Sequence, residues 1–209
     1  MFVWLAVGAS GGVCLCATQM EKKRLAVFFK LLTMVLLVMT LFHHSGGELL
    51  LTEQWVLAGL AFSLAGNLFF LLSNRFYELA VLSFVVVSIC YGKASWLQLS
   101  GPLSYWIPSM LYAALVILLF IGLPSLSGIL WSVVTLGAGM VQMTWAAAEV
   151  WMHQSSPASL LGFTGAFLLL TCCIGHAFKH KGLPAKNGNL VLNSTYLISQ
   201  ALITASVLY

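Results

Sequence analysis

The stretch WVLAGLAFSLAGNLFFLLSNRF, residues 55–76, decides how this chain folds. Its first nineteen residues are almost all apolar, which is long enough to cross a bilayer. One amide, Asn67, sits inside the run. An amide buried in hydrocarbon without a partner costs about 4–8 kcal/mol on an alkane scale. Such a segment is stable only as one member of a bundle, where neighbouring helices supply partners for Asn67.

The rest of the chain agrees. Its 209 residues are 61% hydrophobic and 7% charged, with a mean hydropathy of +1.00. A water-soluble domain carries about 25% charged residues, so there is too little polar surface here to cover a globule in water. The composition implies an all-α, polytopic membrane protein forming a single membrane-embedded domain. The net charge of +4 is small and comes from short clusters, which argues against a nucleic-acid partner. Five cysteines (Cys14, Cys16, Cys90, Cys172 and Cys173) lie in apolar segments and read as small hydrophobes, not as a disulfide framework. There is no aspartate.

A ruler of about 20 apolar residues per span predicts eight transmembrane helices, at 1–18, 25–43, 55–73, 79–97, 104–123, 128–149, 158–177 and 189–208. The amino-terminal segment lacks a basic region ahead of its apolar run and is followed by QMEKKR, the pattern of a retained first helix. With eight spans, Lys22, Lys23, Arg24, Arg75, Lys179, Lys181 and Lys186 all fall on one side. The positive-inside rule makes that side cytoplasmic and places both termini outside.

Polar residues recur at helical spacing in several spans. Gly59, Ser63, Gly66 and Asn67 share a face, as do Phe84, Ser88 and Tyr91. Tyr196 and Gln200 do the same in the last span. Lys30, Asn67, Cys172 and Cys173 each lie ~8 Å from the basic end of their helices at 1.5 Å per residue. Tyr196 is slightly deeper, with Ser88, Tyr91 and Gln200 near mid-membrane. Five or six spans therefore present polar groups to one zone of the basic half, as a membrane-embedded pocket requires. For a single serine or glutamine the plainer expectation is a helix cross-link worth ~0.6 kcal/mol. Lys30 either snorkels to the surface or faces the pocket, as intramembrane ionisable groups commonly do.

These motifs, in this order, resemble those of the YhhN-type membrane family, which includes the lysoplasmalogenases. The family's KPLT is KLLT here, Lys30 to Thr33; its GL..SL.GD is GLAFSLAGN, Gly59 to Asn67. Its F..(S/A)H..Y is FVVVSICY, Phe84 to Tyr91; its GA.LF..SD is GAFLLLTCC, Gly165 to Cys173; and its tYy..Q is TYLISQ, Thr195 to Gln200. The resemblance covers nearly the whole chain. It implies hydrolysis of the vinyl ether bond of lysoplasmalogens to a fatty aldehyde and a glycerophospho-alcohol, with a membrane lipid or lysophospholipid as partner and no cofactor.

By the same resemblance, the catalytic positions are Asn67, Cys173, Ser88, Lys30 and Tyr91. Gly66, Tyr196 and Gln200 take the substrate-binding places. Three of these depart from the family: two aspartates fall on Asn67 and Cys173, and a histidine on Ser88. Vinyl ether hydrolysis needs an acid to protonate the alkene carbon and a base to activate water, work suited to two carboxylates of different acidity. Asn67 cannot transfer such a proton, and losing one positioned acid or base typically removes about 10²–10⁴-fold in rate. The alternatives are a non-catalytic member that binds or moves a lipid, and a small membrane transporter.

Other chemistries have weaker signals. His43, His44 and Glu48 lie on the opposite side from His176 and His180 in this topology, so no closed metal-ligand set is expected. The vicinal Cys172 and Cys173 lack the electropositive, exposed setting of a redox pair. There is neither a phosphate-cradling glycine loop nor a G-x-S-x-G serine.

Overall fold

The computed structural model describes residues 2–45, 48–72, 76–122, 130–180 and 188–209. Among them are eight helices and no strand. They are α1 (Phe2–Gln19), α2 (Lys23–His44), α3 (Leu51–Leu72), α4 (Tyr77–Trp96), α5 (Trp106–Gly122), α6 (Leu130–Gln154), α7 (Pro157–His180) and α8 (Gly188–Leu208). Five segments, in α1, α2, α4, α7 and α8, are long and apolar enough to cross a membrane; Trp106–Ile121 in α5 is apolar but shorter. The other two, α3 and α6, have 22 and 25 residues and carry Glu53, Asn67, Gln142 and Glu149 among their apolar residues. The molecule is a polytopic helical bundle with eight described helices. Arg75, Lys181 and Lys186, which the expected orientation also used, lie outside the described residues, as do Ser73 and Asn74.

Helix α8 occupies the middle, packing on α7, α1, α2 and α3. Chain neighbours pair as α1 with α2, α3 with α4, and α6 with α7, while α4 also packs on α6. The principal neighbour of α5 is α6. Without a strong hydrophobic drive between helices in lipid, close backbone approach and dispersion hold such a bundle. Small residues permit that approach. The Tyr91 ring of α4 fills the space a Cβ would take at Gly59, and the Phe84 ring lies 2.9 Å from such a Cβ at Gly66. At Gly165 a Cβ would meet the Ser199 carbonyl of α8 at 3.0 Å.

Most buried hydroxyls are satisfied within their own helices. Thr33, Thr40, Thr144 and Thr204 each donate to the carbonyl four residues back, at 2.7–2.8 Å. These are the cross-turn bonds that make a polar residue tolerable in hydrocarbon. Ser10 instead bridges α1 and α2, 2.9 Å from the Thr33 hydroxyl.

At the end remote from Lys22 and Arg24, the α4–α5 connection is fastened to α6. The fully buried Glu149 accepts from the Ser104 main-chain N–H at 2.8 Å and from the Trp145 indole at 2.9 Å. His153 lies 3.7 Å from the other carboxylate oxygen and 2.8 Å from the Pro102 carbonyl. Gly101 adopts φ 155° where a Cβ would come within 2.9 Å of the His153 ring, so both backbone and space call for glycine. Trp96 meets Trp145 edge to face at 5.1 Å. This fastening fixes where α5 enters the bundle.

Candidate functional site

Toward the basic end the helices enclose a cavity of about 520 Å³, within the 300–1,000 Å³ of ordinary single-ligand clefts. Its walls come from seven helices. Val27, Lys30 and Leu31 belong to α2, Asn67 and Phe70 to α3, and Tyr77, Val81 and Phe84 to α4. Leucines 115, 118 and 119 of α5 face it, with Leu136 and Met140 of α6. Cys172, Cys173 and His176 of α7 and Asn193 and Tyr196 of α8 complete it. The lining is mainly apolar, and its polar groups lie near the helix ends that depth alone had predicted.

One network organises those polar groups. The Asn67 amide donates to the Ser63 main-chain carbonyl and to the Tyr196 hydroxyl, both at 2.7 Å. Ser63 and Tyr196 also share a hydrogen bond between their hydroxyls. The Lys30 ammonium lies 4.2 Å from the centre of the Tyr196 ring and donates to Asn193 Oδ1 at 3.4 Å. Asn193 in turn donates to the Thr18 hydroxyl of α1 at 3.2 Å. A cation over an aromatic face gains about 0.5–2 kcal/mol, more where water is excluded. Tyr196 thus anchors Asn67 through its hydroxyl and Lys30 through its ring.

A second set of side chains is aromatic and thiol. The Phe70 and His176 rings stack with planes 7° apart and centres 6.4 Å apart, and Phe70 also meets Tyr77 at 5.9 Å. Phe84 meets Tyr196 edge to face at 6.3 Å. Cys172 donates to the Leu192 carbonyl at 3.4 Å, while Cys173 lies alongside it in the wall. The five glutamates are all among the described residues, and none lines the cavity. With no aspartate in the chain, the wall lacks any carboxylate. It can accept an apolar chain, hold an anion at Lys30 and offer thiol, phenol and imidazole groups.

Of the eight positions singled out in the sequence, Lys30, Asn67, Cys173 and Tyr196 line this cavity together. The other four lie elsewhere. Gly66 packs against Phe84 and Ser83. Ser88 donates to its own Val85 carbonyl at 2.7 Å and fills the space beside Gly139 of α6. The Tyr91 hydroxyl donates to Gln200 Oε1, both residues being buried nearer mid-membrane. Tyr91 faces only a small cleft of about 20 Å³. Phe70, Tyr77, His176 and Asn193, with the three α5 leucines, were not singled out as site residues. His176 and Asn193 stand at helical spacing from Cys172 and Tyr196, a faint signal; apolar residues and the helix-end Tyr77 carry none. Among the described residues no three His, Cys, Asp or Glu side chains group closely enough to hold a metal ion.

Comparison with known proteins adds one finding. The profile of the YhhN family matches residues 25–207, most of the chain. No curated protein and no solved structure matches.

Proposed function

The chain belongs to the YhhN family, and on that premise we propose that it is a lysoplasmalogenase-like membrane protein whose cavity receives one single-chain phospholipid. Lysoplasmalogens are the first substrate class to test. The carrying observation is a largely apolar cavity of about 520 Å³ with Lys30 in its wall and no carboxylate. The apolar wall of α5, α6 and α7 suits one hydrocarbon chain, and Lys30 suits a phosphate. The sn-1 linkage of such a lipid then lies near Asn67 and Tyr196.

Binding and turnover separate in this proposal. Asn67 spends both amide hydrogens on Ser63 and Tyr196, and an amide offers no proton to an alkene carbon. Cys173 supplies a thiol where the family carries an acid. The lipid is therefore held while vinyl ether hydrolysis is slow or lost. We place the site in the cytoplasmic leaflet, because Lys22 and Arg24 mark the cavity's end of the bundle.

The test is to incubate the purified protein with lysoplasmenylethanolamine, measure released fatty aldehyde, and record retained lipid by native mass spectrometry. Retained lysolipid with aldehyde at background is the expected result. Rapid aldehyde release would overturn the loss of chemistry, and a failure to retain any single-chain lipid would overturn the site. The Asn67→Asp, Cys173→Asp double variant should then gain hydrolysis if the carboxylates alone are missing. Labelling of single cysteines at the α1–α2 turn from the cytoplasmic side checks the orientation.

A further inference from the structure

Asn67 and Cys173 each have a ring three residues nearer the basic end of the same helix, Phe70 on α3 and His176 on α7. At that spacing ring and polar group are neighbours on one helix face and differ in depth by ~4.5 Å. All four residues line the cavity. Phe70 and His176 are also exposed, so neither ring is buried in a helix seam. Helix α3 packs on α4, α2 and α8, and α7 packs on α8 and α6; among the described residues no comparable seam joins α3 to α7. Across that interval the two rings meet with planes 7° apart and centres 6.4 Å apart, within the range of offset-stacked pairs. Tyr77 and Phe84 of α4 steady Phe70, each with its ring centre 5.9 Å away. A ring stack therefore spans the cavity on the basic side of Asn67 and Cys173.

Resting on the proposed lipid-binding role, we infer that the Phe70–His176 pair is the gate of this cavity, parting to pass one single-chain lipid and closing over the groups beneath. A contact between two exposed side chains opens at less cost than a helix seam. Rotamer changes suffice, and α3 and α7 both stay packed on α8. Closure keeps bulk water from the hydrogen bonds that join Asn67, Ser63 and Tyr196, which are stronger where the surroundings are less polar. Opening uncovers a mainly apolar wall, which a hydrocarbon chain fills and a small polar solute does not. The gate thus sets how fast a lipid enters and leaves, and how freely water reaches a lipid already inside.

The test uses the purified full chain in detergent, first without lipid. A small water-soluble maleimide is applied, and modification of the Cys172–Cys173 pair is followed by peptide mass spectrometry, with the buried Cys90 as internal standard. In Phe70→Ala and in His176→Ala the pair should react about fivefold faster than in the wild type, the scale of one aromatic contact, with Cys90 unchanged. Phe70→Tyr keeps the ring and should stay nearer the wild type. Stopped-flow competition between a fluorescent and an unlabelled lysolipid should then show association and dissociation both faster by about the same factor in the alanine variants. Unchanged maleimide rates overturn the gate whether or not lipid binds. An equal rise at Cys90 would be general loosening and overturns it too. Faster dissociation with association unchanged would make the rings ordinary wall contacts. Faster maleimide entry, with no lysolipid bound by the wild type, overturns the lipid occupant and leaves a gate over some other site. If one alanine variant does not fold, the other and Phe70→Leu carry the test.

Discussion

The two ends of the bundle each place an ionisable side chain among the helices, and they treat it in opposite ways. Glu149 is fully buried: one carboxylate oxygen accepts from a main-chain N–H and an indole, the other lies 3.7 Å from His153, and the residue does not line the large cavity. Lys30 faces a cavity of about 520 Å³, with the Tyr196 ring and the Asn193 amide oxygen among its partners. Intramembrane charge alone marks both residues as functional candidates. What separates them is whether packing leaves room beside the charge. A side chain packed against a loop fastens it, whereas one beside an apolar hollow shares its surroundings with whatever enters.

The largest expected effect falls at the sealed end. Glu149→Ala removes the acceptor for both Ser104 and Trp145, and each stranded buried donor costs about 1–3 kcal/mol. A thermal unfolding scan in detergent should show a loss of about 2–5 kcal/mol, with lipid competition unchanged in the fraction that remains folded. If the midpoint does not move, the fastening is ornamental and the contrast between the ends collapses.

Next in size is Gly59→Val on the α3–α4 seam, where the Tyr91 ring occupies the space of the new side chain. Overpacking of this kind costs about 1–3 kcal/mol. It should also displace Tyr91 from Gln200, which is read as a lowered melting temperature with lipid affinity changed less than threefold. A loss of lipid binding larger than the loss of stability would show that Tyr91 belongs to the site after all.

Asn67→Asp alone sharpens the comparison from the cavity side. The carboxylate cannot donate to the Ser63 carbonyl as the amide does, and a lost buried hydrogen bond of this sort is worth about 1 kcal/mol. The stability read from an unfolding scan should fall by that modest amount. The smallest change in stability is expected for Leu118→Trp, where the larger ring fills existing space. Its melting temperature should stay near wild type while lysolipid competition falls at least tenfold; unchanged competition would place the chain-binding wall elsewhere.

Much of this was legible in the sequence, and what escaped did so for physical reasons. Depth could be counted, because an α-helix advances a constant 1.5 Å per residue and spans alternate in direction. Counting brought Lys30, Asn67, Cys172 and Cys173 to one level with Tyr196 slightly deeper, and all five line one cavity. The same count put Ser88, Tyr91 and Gln200 nearer the middle, where they join helix to helix or bond within their own turn. Gly66 has the right depth, but α4 lies against it, so it contributes close packing and no wall.

The hydrophobic composition and its span-length period determined by themselves that this chain forms a helical membrane bundle. Its ordered motifs pointed to the YhhN family, and residue counting fixed the level at which polar groups gather. Only the tertiary structure decided which of those groups meet a hollow and which meet another helix. It also recruited Phe70, Tyr77, His176 and the α5 leucines; phenylalanine and leucine are as common at lipid-facing positions as in a pocket. The reason is geometric: depth belongs to each helix separately, but facing is set by how all the helices pack together.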